Sequence, residues 1–261
     1  MKYLGSKLRI KDFILPIILD GKEDYDFYIE PMAGSLSVIE NVTGIKKYAS
    51  DLNGYLIAMW KTLQEQQTDF LNYLVKQNIL TEYGDKWFIE RSVYNYYRFL
   101  CRKSGYQLLS VEAPIIGFVG FMASFNGRFY DGGYSGIASG RNYIDEQIRN
   151  TLKQLPKLHD ITFIWNDYEG VSNLPELHTK RGIFYFDPPY AGVKHCELGK
   201  NFDYDRFYSH CEKLHADGNK VVISEYCMPS DRFKSIWEMS ITNSLNPKNS
   251  YQRIEKLFVP C

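Results

Sequence analysis

The stretch Gly182-Ile183-Phe184-Tyr185-Phe186-Asp187-Pro188-Pro189-Tyr190 decides how this chain is read. Its first five residues are apolar or aromatic and of strand length, the pattern of a strand buried on both faces of a sheet. The remaining four make a stiff exit. Two consecutive prolines fix the backbone and remove two N–H donors. They leave carbonyl acceptors beside the Asp187 carboxylate and in front of an aromatic face. In open parallel sheets, ligands sit beyond the carboxyl ends of the strands. Such an edge suits a planar amine: Asp187 and the Pro188 carbonyl each accept one N–H, and Tyr190 stacks on the ring. A strand exit stopped by prolines, with Asp as a turn former, is the plainer alternative for the tetrapeptide alone.

Runs of the same kind recur at residues 26–30 (DFYIE), 46–50 (KKYAS), 160–165 (DITFIW) and 220–224 (KVVIS). Residues 54–66 and 205–216 have helical spacing. Strands alternating with helices predict an α/β fold with a mostly parallel sheet. The middle breaks that alternation. It has helix-like stretches at 69–78 and 86–103 and a glycine- and aromatic-rich loop at 117–141, with no strand alternation. This predicts an α/β core formed by residues 1–66 and 159–261, carrying an inserted, mainly helical lobe at 67–158.

Other strand ends also carry polar chemistry. In Glu30-Pro31-Met32-Ala33-Gly34-Ser35, a strand ends in an acid and a turn of small residues comes next, with a helix expected from 36 to 41. Small residues let a ligand approach the backbone, and a helix N-terminus offers free N–H donors. In Ser50-Asp51-Leu52-Asn53, an acid about 20 residues after the glycine turn is placed to hold ribose hydroxyls; capping the next helix is the alternative. Asn166-Asp167-Tyr168 puts a polar residue where an adenine edge could be met, or makes an ordinary turn. At the start, Lys2-Tyr3-Leu4-Gly5-Ser6-Lys7 offers a stacking face, a close backbone approach and a cation, or else a frayed terminus.

In this order YLGSK, EPMAGS, SDLN, NDY and FDPPY resemble the Dam-like (D12 class) N6-adenine DNA methyltransferases. The DPPY string is the sharpest part, because amino-methyltransferases acting on cytosine typically carry SPPY and many acting on RNA or protein amides carry NPPY. The resemblance implies a Rossmann-like methyltransferase fold, S-adenosylmethionine as cofactor, and methyl transfer to N6 of an adenine flipped out of double-stranded DNA. An RNA adenine-N6 methyltransferase and a non-catalytic nucleic-acid-binding relative are the alternatives. Carried over by residue, it implies that Tyr3 and Lys7 belong to an N-terminal cofactor motif. Glu30, Pro31, Met32, Ala33, Gly34 and Ser35 would cradle the methionine part. Asp51, with Asn53, would bind the ribose, and Asp167, with Tyr168, would approach the cofactor's adenine. Asp187, Pro188, Pro189 and Tyr190 would hold the target adenine, Asp187 also facing the cofactor. The resemblance makes 67–158 the target-recognition domain, and its segment Ser124-Phe125-Asn126-Gly127-Arg128-Phe129-Tyr130, with Gly132, Gly133 and Tyr134, resembles a DNA-facing segment of the family. Ile223-Ser224-Glu225-Tyr226 resembles the strand end that closes the base pocket. Met32, Ser35 and Glu225 depart from the family's usual residues; an asparagine is frequent where Glu225 stands.

Double-stranded DNA is thus the expected partner. Arg98 and Arg102 are four apart and share a helix face. Arg128 lies in the glycine-aromatic segment with Asn126 and Tyr134, and Arg141 closes the loop at 117–141, a basic and aromatic combination suited to phosphate contact and intercalation. The 31 basic and 31 acidic residues among 261 cancel. That excludes a globally basic binder, not a local basic groove. No apolar run approaches the ~20 residues of a membrane helix. Five cysteines without a framework suggest reduced thiols in a cytoplasmic protein of a bacterial or phage-infected cell. Neither His195-Cys196 nor His210-Cys211 with His215 has metal-ligand grouping. No metal or membrane partner is expected, and the chain is expected to be monomeric.

Overall fold

The computed structural model describes residues 1–105, 111–138, 140–192, 201–242 and 252–261; His195 and Cys196 lie outside them. In chain order the elements are α1 (Lys11–Ile18), β1 (Phe27–Glu30), β2 (Lys46–Asp51), α2 (Gly54–Lys76), β3 (Thr81–Tyr83), β4 (Lys86–Phe88), α3 (Arg91–Lys103), α4 (Ala113–Met122), β5 (Ile137–Ala138), β6 (Arg141–Asn142), α5 (Tyr143–Leu152), β7 (Ile161–Trp165), α6 (Tyr168–Ser172), α7 (Pro175–His178), β8 (Gly182–Phe186), α8 (Tyr204–Ala216), β9 (Lys220–Glu225), β10 (Phe233–Thr242) and β11 (Gln252–Pro260).

Seven strands form one sheet in the order β10-β11-β9-β8-β1-β2-β7. β7, β2, β1, β8 and β9 run parallel. β11 is antiparallel to β9, and β10 to β11, with a bulge between Ser235 and Trp237. This is the α/β, Rossmann-like architecture expected, with an antiparallel hairpin added at one edge. From β1 the chain runs outward through β2 to β7, then returns to lay β8 on the other side of β1. The order reverses there, so a crevice opens beyond the carboxyl ends of β1 and β8.

Alternation along the strands separates two core layers. Phe27, Ile29, Phe184 and Phe186 face one side and pack with Val171, Leu177, Phe207, Cys211 and Leu214. Tyr28, Ile183, Tyr185 and Val222 face the other side and join Ile14, Ile18, Leu56, Met59 and Trp60. That second layer continues without a break into the helices of residues 67–158, through Tyr94, Cys101, Phe118, Phe121, Ile144 and Ile148.

Several local expectations are corrected. Residues 36–41 form no α-helix, only a 3-10 turn at Ile39–Asn41, because Gly34 (φ 48°) and Leu36 (φ 63°) are left-handed and cannot continue a right-handed helix. Residues 117–122 are helix α4 rather than loop. Gly117 sits there because a Cβ would lie 2.1 Å from the Tyr55 carbonyl oxygen, and Gly120 because one would lie 2.5 Å from the Phe129 ring. These glycines serve close packing. α2 runs on to Lys76, with non-helical torsions at Gln66. The expected helix at 86–103 begins only at Arg91; residues 86–88 are strand β4, which pairs with β3.

Candidate active site

The site is built where β1, β2, β7 and β8 end. β1 delivers Glu30, which is buried and accepts a 2.6 Å hydrogen bond from the Tyr28 hydroxyl. Burial pushes its carboxyl up to about 8, against that hydrogen bond and with Asp187 adding to the rise. The next turn is tied to β2: Ala33 N–H donates to the Ser50 carbonyl at 2.9 Å. Gly34 N–H donates to Asp51 Oδ2 at 3.1 Å, and the Gly34 carbonyl accepts from Trp60 Nε1 at 3.2 Å. A Cβ on Gly34 would press to 2.9 Å from the Tyr3 ring, and Tyr3 itself stacks on Phe121. Ser35 bonds Ser6 through their hydroxyls at 3.1 Å. Pro31 is buried, and Met32 packs against the Phe27 layer.

Asp51 does not cap α2 with its side chain; Asn53 does, its Oδ1 accepting from Tyr55 and Leu56 N–H. Asp51 Oδ1 accepts from Asn53 N–H at 2.8 Å. Burial raises its carboxyl pKa, against the two backbone donors. At the end of β7, Asn166 accepts from Ser50 through its carbonyl at 3.0 Å. Asp167 caps α6 through Gly170 N–H at 2.6 Å. Tyr168 packs edge-on against Phe207 and His210. His210 itself bonds the Ser172 hydroxyl at 3.1 Å.

Beyond β8, Asp187 meets the N-terminal motif. Lys7 Nζ lies 2.7 and 2.8 Å from the two Asp187 oxygens and 3.1 Å from the Gly5 carbonyl. The lysine side chain is 6% exposed and the aspartate 24%. Burial works against the Lys7 charge, but Asp187 and then Glu255 outweigh it and raise its pKa. The same ammonium stands 4.8 Å from the centre of the Tyr190 ring. Tyr190 donates to Glu255 Oε2 at 2.7 Å and meets Tyr226 edge-on at 4.5 Å. Tyr204 donates to the Pro189 carbonyl at 2.9 Å. Glu225, buried at the end of β9, accepts from Ala191 and Tyr226 N–H, and burial lifts its carboxyl to about 7.

Residues 5–7, 30–35, 51 and 187–190 therefore gather around one crevice. Three more side chains that the sequence patterns do not single out touch residues around it: Glu255 bonds Tyr190, Arg253 bonds Tyr226 and Trp165 bonds Leu52. Glu255 and Arg253 come from β11, in its polar first half, ahead of the short apolar run Leu257-Phe258-Val259. Arg253 donates to the Tyr226 hydroxyl at 3.0 Å, and Tyr226 closes the same corner. Leu52 and Trp165, 54% and 50% exposed, form an apolar rim beside Asp51, with Trp165 Nε1 bonded to the Leu52 carbonyl at 3.2 Å. A large aromatic at a strand's carboxyl end is the signal that could have found Trp165.

A sequence model of the family described as D12 class N6 adenine-specific DNA methyltransferase matches residues 3–255. The chain belongs to that family. It is a methyltransferase, and therefore an enzyme. No curated protein matches its sequence. Two solved structures of the rRNA methyltransferase aviRa from Streptomyces viridochromogenes align over 97% of this chain and 84% of theirs. Their identities are 11% and 10%, each with a TM-score of 0.38.

In this methyltransferase the candidate nucleic-acid residues are spread over the helical layer. Arg98 and Arg102 lie on α3. The Nε atoms of Arg98 and Arg128 are buried and find no hydrogen-bond partner among the described residues. Asn126 is left-handed at φ 55° beside Phe125, which is half exposed. Tyr134 is engaged within the fold, donating to the Ile89 carbonyl at 2.6 Å under the Arg91 guanidinium. Arg141 pairs with Glu146. Among the described residues no group of His, Cys, Asp and Glu could hold a metal ion, and no helix is long and apolar enough to cross a membrane.

Proposed function

We propose that this methyltransferase moves the methyl group of S-adenosylmethionine to N6 of an adenine turned out of double-stranded DNA. The observation that carries the reading is the Asp187–Pro188 edge at the carboxyl end of β8, facing the buried Glu30 and the half-buried Asp51 across the point where the strand order reverses. The donor set fits the cofactor. Two carboxyl groups in a buried crevice suit a ligand with a cationic amine and a diol. Glu30 would take the ammonium, and Asp51, with lone pairs left on both oxygens, would take ribose hydroxyls. Leu52 and Trp165 would offer an apolar wall to the cofactor's adenine, and Asp167 with Tyr168 a polar edge.

When bound, S-adenosylmethionine supplies an electrophilic methyl on a sulfonium. The rest is done by the chain. The adenine amine is a poor nucleophile because its lone pair is delocalised into the ring. Asp187 and the Pro188 carbonyl accept its two N–H bonds, favour a tetrahedral nitrogen and aim the lone pair at the methyl. As positive charge develops on nitrogen, the Asp187 carboxylate stabilises it and accepts the departing proton. Tyr190 stacks on the base and offsets part of the unstacking cost, about a few kcal/mol. Residues 1–66 and 159–261 carry this chemistry, and residues 67–158 recognise the DNA. DNA phosphates would meet the guanidinium groups of Arg98 and Arg128, which are only partly covered.

The deciding experiment offers labelled cofactor to unmethylated duplex DNA and to RNA of matching sequence, with the product nucleosides then identified. N6-methyladenine in DNA supports the reading. Label in RNA alone moves the substrate to RNA. No label in either, with cofactor bound, overturns it.

Two measurements extend the test. Glu30 is neutral below pH ~8 and must ionise to pair with the cofactor's ammonium, so binding releases a proton. Affinity is expected to rise by nearly tenfold per pH unit from about pH 6 to 7, levelling near pH 8 where Glu30 is half ionised and the α-amino group itself titrates. Glu30→Gln should bind weakly and lose that slope in calorimetry. DNA affinity should fall steeply with salt, with Arg98→Ala and Arg128→Ala each removing about 0.9 from the log–log slope. A flat response in anisotropy titrations would remove both arginines from the interface.

A further inference from the structure

As the chain stands, Lys7 blocks the substrate edge. Its three donors are spent on both oxygens of Asp187 and on the Gly5 carbonyl. Its ammonium also covers the Tyr190 ring at 4.8 Å. The target adenine needs an Asp187 oxygen and the Tyr190 face, so the ammonium has to move when the base arrives. It cannot simply be left unpaired, because an isolated buried charge is too costly. Its continued bond to Asp187 would also oppose the positive charge that grows on the adenine nitrogen during transfer.

An acidic neighbour stands ready to receive it. Glu255 on β11 holds the hydroxyl end of the same Tyr190 ring at 2.7 Å. Its carboxylate already bears on Lys7, second only to Asp187 among the acids that do so. The strand register explains its position: Lys256 pairs with Glu225 at the end of β9, so the preceding residue lies level with the DPPY turn. Glu255 reaches into the crevice from the hairpin, an element to which neither the cofactor nor the methyl-transfer role has been assigned.

The geometry points to Glu255 as a positioning residue that receives the Lys7 ammonium when the target base takes Asp187. Resting on the proposed adenine chemistry, it makes the β10–β11 hairpin part of substrate admission. In the free protein, Lys7 closes the Asp187 edge. On base entry, the ammonium rotates past the Tyr190 ring to Glu255, and Asp187 turns to the adenine amine. No covalent bond changes, and the two carboxylates and one ammonium keep their total charge.

The test uses the full chain and a duplex with adenine at the target position and 2-aminopurine beside it, whose fluorescence reports the adenine leaving the stack. Glu255→Gln keeps an acceptor for the Tyr190 hydroxyl but no charge. It should raise KM for DNA and lower the 2-aminopurine signal by about tenfold or more, with cofactor affinity unchanged within about twofold. Glu255→Asp should recover part of the loss. In a Lys7→Met background, which has no ammonium to reseat, Glu255→Gln should change little further. Tyr190→Phe removes the same hydrogen bond without touching the charge and should not reproduce the Glu255→Gln effect on KM.

Additive losses from Lys7→Met and Glu255→Gln would overturn the proposal, as would Tyr190→Phe matching Glu255→Gln. Thermal melts of each variant separate these results from a folding defect. Absence of methyl transfer to DNA by the unaltered chain would instead overturn the functional reading, and the proposal with it.

Discussion

Asp187→Ala is expected to lower the rate of methyl transfer by about a thousandfold, the scale seen when a preorganised group facing developing charge is removed. The effect is large because one carboxylate does three things: it accepts an amine hydrogen, stabilises charge on nitrogen and takes the proton. Cofactor affinity should change much less, since Glu30 and Asp51 lie on β1 and β2 rather than on the DPPY turn. The variant strands the Lys7 ammonium, so stability needs an independent check. Asp187→Asn leaves an oxygen acceptor near Lys7 but no charge, and it should remain at least about a hundredfold down. Single-turnover kinetics with saturating cofactor, set beside melting curves, distinguish the two losses. Activity falling only in step with stability would remove Asp187 from the chemistry.

The second large effect is on stability. In Gly117→Ala a new Cβ would stand 2.1 Å from the Tyr55 carbonyl oxygen and 3.0 Å from Met59 Cβ. Backbone cannot step aside as a flexible side chain can, so α4 must be pushed off α2. The expected cost is about 3 kcal/mol, at the upper end for overpacking, or roughly 6–12 °C in Tm for a chain of this size. Gly21 is a useful contrast. It is left-handed at φ 68° and ψ 22°, and a Cβ there would meet only Asp24 Oδ2 at 3.8 Å, so Gly21→Ala meets only backbone strain of about 1 kcal/mol. Calorimetry showing equal shifts for the two would mean that α2 and α4 are not so closely packed.

Asp187 and Gly117 also mark what can and cannot be read in the sequence. The runs DFYIE, KKYAS, DITFIW, GIFYF and KVVIS are recognisable because parallel strands buried by helices need continuous apolar composition, whatever their partners. The polar residues that end them come next in the chain, so Glu30, Asp51 and Asp187 can be placed on one rim. Gly117 and Gly120 read as loop residues because glycine marks both flexibility and close approach, and only packing tells the two apart. β10 and β11 are hidden for a different reason. Polar residues interrupt β10 and fill the first half of β11, so both resemble surface segments until they are paired, and Glu255 gains meaning only by meeting Tyr190 across the fold. The helix expected after the glycine turn fails because Leu36 is left-handed, a torsion that its residue type does not announce.

The return of the chain to β1 has a consequence for how the enzyme is made. β1 finds one neighbour soon, in β2, but its other neighbour, β8, pairs Gly182 with Phe27 only after β7 and the intervening helices have been synthesised. Such distant pairings form slowly, because a long loop must close before any contact rewards it. Lys7 leaves the ribosome 180 residues ahead of Asp187. A nascent chain therefore exposes one edge of β1 and an unpaired lysine until β8 and Asp187 have emerged. Release of an early-terminated product would yield aggregation-prone material rather than a half-working enzyme, and chaperone demand should track translation pauses before β8.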